Sequence, residues 1–175
     1  MKKKTVYFFL IYFFLILITE KAFTENLNIK FVDVDLIISQ STAGKKVQKS
    51  FDKKIEKENA KFKKVEDELK KEQEEILKQK NIISKDELEN KIKEFQSNLN
   101  ELRANRAKFN REMNKKNLES TNKMVNEINK ILVKYASDNS ISFVIQKKNI
   151  IIGKSELDIT NEILEEFNSK IKSIE

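Results

Sequence analysis

Between residues 45 and 136, apolar side chains return at alternating steps of four and three. The first run passes through Phe51, Ile55, Phe62, Val65, Leu69, Ile76 and Ile83; the second through Leu88, Ile92, Phe95, Leu99, Leu102, Phe109 and Met113. This is the heptad seam of coiled-coil helices. The longer step from Met113 to Met124 shifts the phase, and the pattern resumes at Ile128, Ile131 and Tyr135. Where the runs meet, Ser84 with Glu87 three residues later reads as a capping box, the start of a new helix. The pattern therefore predicts two helices in an antiparallel hairpin with its turn near 81–86, rather than one continuous helix. At 1.5 Å per residue, each arm helix would be ~60 Å long. Glu58, Glu72, Gln79 and Arg106 interrupt the seam. A turn near Ser84 sets Glu58 against residues 106–111 and predicts a cross-hairpin ion pair there. A seam this thin makes the tip the least stable part.

The flanks carry a different period. Residues 28–34 (NIKFVDV) predict a strand with Phe31 and Val32 buried on opposite faces. Residues 36–41 suggest a helical turn, and Ser41, Thr42, Ala43 and Gly44 mark a break before the first long helix. Beyond the arm, Ile141, Phe143 and Ile145 alternate with more polar neighbours as a half-buried strand. Lys147, Lys148 and Asn149 make a turn, and Ile150, Ile151 and Ile152 predict a third strand ended by Gly153. Asp158 or Thr160 caps a last helix, with Ile163, Leu164, Phe167 and Ile171 on one face. The expected fold is mainly α with a small β body. Residues 25–44 and 137–175 form the body, and 45–136 form a long coiled-coil hairpin inserted between short strands. So small a sheet is marginal alone, so the chain is expected to complete its core by oligomerising, through Ile29, Phe31, Val32, Ile141, Phe143 and Ile145.

The amino end departs from both patterns. Lys2, Lys3 and Lys4 precede an unbroken apolar run from Val6 to Ile18. The run is too short to span a bilayer comfortably and fits a secretory signal peptide over 1–24, cleaved near 22–24. A periplasmic or surface location follows.

Composition narrows the chemistry. The 175 residues include no Cys, His or Pro and only two Gly, with 35 Lys+Arg against 28 Asp+Glu, a net charge of +7. Thiolate and imidazole metal sites are excluded, as are Cys–His and Ser–His–Asp nucleophiles. No phosphate-cradling glycine loop is present. Adjacent carboxylates such as Glu74 and Glu75 point different ways on a helix and read as solvated surface, so no catalytic residue, metal or cofactor is expected. The basic residues are interleaved with acids rather than drawn into one stripe, which argues against a nucleic-acid binder.

Three stretches then carry a resemblance: Ile29-Lys30-Phe31-Val32-Asp33-Val34 followed by Thr42-Ala43-Gly44-Lys45; Ile141-Ser142-Phe143-Val144-Ile145; and Leu157-Asp158-Ile159-Thr160-Asn161-Glu162-Ile163-Leu164. In their order and spacing they resemble the Skp (OmpH-like) family of periplasmic chaperones. The resemblance implies a homotrimer with a shared β-barrel core. It implies helical arms around a cavity that holds unfolded outer-membrane proteins without ATP. Client contact is expected on the inner arm faces and tip, at Ile76, Leu77, Ile82, Ile83 and Leu88. Arg103, Arg106 and Arg111, the chain's three arginines, fall on the second arm helix. Arginine suits phosphate, so lipopolysaccharide or anionic phospholipid is an expected partner, with pairing to arm glutamates as the competing reading. The rival to the chaperone is a structural coiled-coil protein of the envelope, which explains the heptads but not the flanking strands.

Overall fold

The computed structural model describes residues 27–174, so the expected signal peptide over 1–24 lies outside the described residues. The chain begins with strand β1 (Ile29–Val32) and helix α1 (Val34–Gln40). The switch is made by Asp33, whose Oδ1 accepts from the Leu36 N–H at 2.9 Å and caps α1. Ser41 ends α1 and starts the next helix at once. Its Oγ accepts from the Gly44 N–H at 3.0 Å and donates to the Ile38 carbonyl at 3.1 Å. Helix α2 (Thr42–Gln79) follows at a sharp angle. Gly44 is required at this corner: a Cβ there would lie 1.7 Å from the Ile38 carbonyl oxygen. Asn168 Oδ1 closes the corner from across the body by accepting from the Thr42 N–H at 2.7 Å.

Helix α2 reverses through residues 80–84 into helix α3 (Lys85–Asp138). Ser84 Oγ accepts from the Glu87 N–H at 3.2 Å, which is the cap expected from the sequence. The two helices form the predicted hairpin, joined across the seam by Phe62, Leu69 and Leu102, with Phe95, Leu99 and Phe109 against them. Helix α3, with 54 residues against 38 in α2, runs about three turns further into the body. It stops where Ser140 takes a positive φ of 51° and the Ile141 N–H donates back to the Ala136 carbonyl at 2.9 Å. Asn28 then ties this end to β1: its Nδ2 donates to the carbonyls of Asn139 and Ser140, each at 3.3 Å.

Strand β2 (Phe143–Gln146) pairs with β1 in parallel, Ile29 opposite Phe143 and Val32 opposite Gln146. A parallel pair needs a long crossover, and the whole arm is that crossover. Helix α4 (Thr160–Lys170) closes the body. Its expected apolar face holds: Ile163 and Phe167 are fully buried, with Leu164 and Ile171 beside them. The core lies where α4, α1 and the body end of α3 meet, around Val32, Ile37, Ala43, Met124, Ile128, Ile131 and Ile159.

One expectation is corrected here. Residues 150–152 do not form a third strand. Lys147–Asn149 tightens into a 3₁₀ turn, and Ile151 and Ile152 are 99% and 90% exposed. A run of isoleucines has the propensity for a strand, but a strand needs an edge to pair with. Here the second edge of β1 is taken at Phe31, which bridges to Asp158 and whose carbonyl accepts from the Ile159 N–H at 2.9 Å. The body also has a buried interior within the single chain.

Candidate functional site

The surface able to hold another molecule lies along the arm. Between the body and the tip, the buried residues of the seam are Phe62, Leu69 and Leu102. Ile55, Val65 and Ile92 sit on the seam yet remain more than a third exposed. The seam is therefore open on either side of this stretch, at Ile55 and Ile92, and Val65 opens within it. At its closed point the Phe62 and Phe109 rings meet edge to face, centroids 6.0 Å apart. Arg106 lies 5.2 Å over the Phe62 ring and its Nη2 reaches Glu66 Oε1 at 2.8 Å. Its Nε is buried without a hydrogen-bond partner among the described residues.

This arrangement corrects the expected ion pair. The antiparallel register that sets Phe62 beside Phe109 puts Glu66, not Glu58, within reach of Arg106. Glu58 instead pairs along its own helix with Lys61 at 2.8 Å, and shares a groove with Glu112. The register also separates the three arginines. Arg106 is engaged across the hairpin, while Arg103 and Arg111 are exposed. Arg103 and Arg106, three steps apart, share a face, whereas Arg111 lies about 140° round the helix from Arg106.

The expected client residues fall into two groups. Leu77 and Ile82 are 64% and 80% exposed at the tip, whereas Ile76, Ile83 and Leu88 are half-buried around the turn. The expected oligomer residues divide as well. Phe31 and Val32 are buried within the chain and Ile141 is half-buried, but Ile29, Phe143 and Ile145 lie on an exposed face of the sheet. The inward-facing residue of β2 is Val144, which packs on the core. Near that sheet, Lys147 Nζ donates to Asp158 Oδ2 at 2.8 Å and stands 6.0 Å over the Phe31 ring. Burial pushes the Asp158 carboxyl up, but hydrogen bonds from Lys147 and Thr160 outweigh it and hold the group below its usual range. The same bond raises Lys147. This pair fixes the 147–158 loop and was not anticipated from the sequence, where the two residues are eleven apart without a motif. Among the described residues no carboxylate cluster is arranged to hold a metal ion, and no helix is long and apolar enough to cross a membrane.

One face of the hairpin carries a groove of about 570 Å³ on the Phe62, Leu69 and Leu102 side, with Val65 and Phe109 in its floor and glutamates along both rims. Open, shallow and partly apolar, it suits an extended polymer better than a compact ligand. A fold with this groove, a long hairpin and a two-stranded body now meets its relatives. The model of the OmpH-like outer membrane protein family matches residues 28–167.

The chain belongs to the OmpH-like family.

The family is a chaperone family and not an enzyme class. A crystal structure of a candidate OmpH-like outer membrane chaperone from Caulobacter crescentus CB15 shares the fold with a TM-score of 0.77, at 17% sequence identity. The match covers 85% of this chain and 88% of that one. No curated protein matches the chain. The OmpH-like match takes in β1, both arm helices, β2 and most of α4, so the sheet and the arm are family features together.

Proposed function

We propose that this OmpH-like protein is an ATP-independent holdase of the periplasm that binds unfolded outer-membrane proteins between its arms and keeps them from aggregating. The observation that carries the reading is the seam itself. Apolar side chains are strung along a long arm, many of them half-exposed, around one short closed stretch. Such a surface makes many weak contacts with any unfolded chain and no single demanding one. A protein that binds only the unfolded state lowers its free concentration by mass action and needs no nucleotide.

In the same reading, body segments 25–44 and 137–175 form the hub and three chains join through it. The exposed sheet face at Ile29, Phe143 and Ile145, together with exposed Ile151 and Ile152, offers apolar area for such a joint. The amino-terminal apolar run serves as the export signal. Arg103 and Arg111, which stay exposed, remain the residues for anionic lipid headgroups, and Arg106 drops out of that set.

The test is to dilute a urea-unfolded outer-membrane barrel protein into buffer with and without the purified protein, and to follow light scattering. Suppression that saturates near three chains per client, without nucleotide, is the expected result. Unchanged scattering from a folded, helical protein would sink the holdase and leave a structural coiled-coil role in its place.

A further inference from the structure

The groove on the arm is not electrically uniform. Toward the body, a second groove on the same face is lined by Lys46, Lys54 and Lys116, with Phe51 in its floor and Glu119 as its one carboxylate among the described residues. Glu119 itself lies 3.9 Å from Lys115. One turn further out the sign reverses. Five glutamates, Glu58, Glu68, Glu72, Glu101 and Glu112, line the middle of the groove with only Lys61 and Lys108. Lys61 is paired to Glu58, while Glu68, Glu72, Glu101 and Glu112 form no ion pair among the described residues. Beyond Glu72 a further pocket carries Glu75 and Glu94 with one lysine, Lys91. These residues recur at steps of three and four on each helix, so the stretches follow one face of the hairpin. In a chain of net charge +7, this acidic middle is a local inversion of sign.

We infer that the groove holds an extended segment of unfolded polypeptide in a fixed electrostatic sense, with its basic residues along the acidic middle and its acidic residues toward the body. The inference rests on the holdase reading above and adds to it a sequence preference. From Lys46 to Glu72 the groove is ~40 Å long at 1.5 Å per residue, which an extended segment of ~12 residues fills. The apolar floor takes alternate side chains and the rims take the charges between them. Because the contacts are exposed, each is weak and screened by salt. Discrimination comes from several acting together.

Two fluorescent peptides of one composition test this, both with alternating apolar residues. One has its Lys and Glu segregated into opposite halves; the other has them interleaved. Binding is followed by anisotropy on the purified protein at low and high salt. The segregated peptide is expected to bind about tenfold tighter at low salt, with the difference lost at high salt. A photocrosslinker at its Lys end should label the arm middle, and one at its Glu end the body end. Replacing Glu68, Glu72, Glu101 and Glu112 with Gln should abolish the preference without loss of helix content. Equal affinities, end-independent labelling, or no binding of either peptide overturns the inference. The scattering assay separates the two claims. Suppressed aggregation with no peptide preference leaves the holdase standing and removes the polar groove. A clear preference without suppression does the opposite.

Discussion

Gly44 shows how much one missing methyl group can carry. The corner between α1 and α2 turns within two residues, because Ser41 is both the last residue of one helix and the cap of the next. That economy brings α2 against the Ile38 carbonyl, 1.7 Å from where a Cβ would stand. The clash is with backbone of a helix packed on α4, so nothing nearby can swing aside. Gly44→Ala is expected to destabilise the body by about 3 kcal/mol, read as a fall in the urea midpoint. Gly153 is the control. A Cβ there would meet the edge of the Phe31 ring at 2.8 Å, in an exposed loop that can yield, so Gly153→Ala should cost clearly less. Equal losses would mean that the corner relaxes and that Gly44 is not structurally required.

At the scale of elements, the hairpin was the most legible part of the sequence. A heptad period survives any tertiary context that buries one helix stripe, and Ser84 is a local signal for a local event. The face of α4 was legible for the same reason. The isoleucine run at 150–152 misled because strand propensity says nothing about a free edge, and that is decided by where Ile159 returns to Phe31. The groove's polarity was hidden for a related reason. Glu58 and Glu112 are far apart in the chain and come to line one groove only after the register of α2 on α3 is set. The same register predicts a gradient of stability along the arm. Met124, Ile128 and Ile131 bury the body end of α3, Phe62, Leu69 and Leu102 hold the middle, and exposed Leu77 and Ile82 mark the tip. Amide exchange should be fastest around residues 77–88, slower in the middle, and slowest in the last third of α3 and in α4. Uniform protection along the arm would show that arm and body open together and would remove the gradient.

For the molecule as a whole, pH acts only at the extremes. With no His and no Cys, no side chain has an ordinary value in the middle of the range. Asp158 is lowered, so its contribution is present above the unfolded value of about 3.9 and is lost as pH falls through the folded value beneath it. Lys147 is raised, so its contribution is present below about 10.4 and is lost as pH climbs through the folded value above it. Urea midpoints should therefore be level from about pH 5 to 9 and drop on the acid side below about 4. Asp158→Asn should lower the neutral plateau and flatten the acid limb. A midpoint that slopes steadily through pH 5 to 9 would point to a titrating group outside this account.

The parallel pairing of β1 with β2 has a consequence in time. Ile29 and Phe143 are partners, yet a chain that emerges amino end first carries β1 and α1 unpaired until the whole arm has followed. At 5–20 residues per second, that wait is on the order of 10 s. Closing so long a loop unaided would be slow, but a hairpin that zips from its own turn delivers the body end of α3 to Ile37 and Ala43 already aligned. The arm is thus the device by which the body finds itself. Until that moment the newborn protein, with Val32 and Ile37 bare, is itself an unfolded chain with its apolar surface in the open.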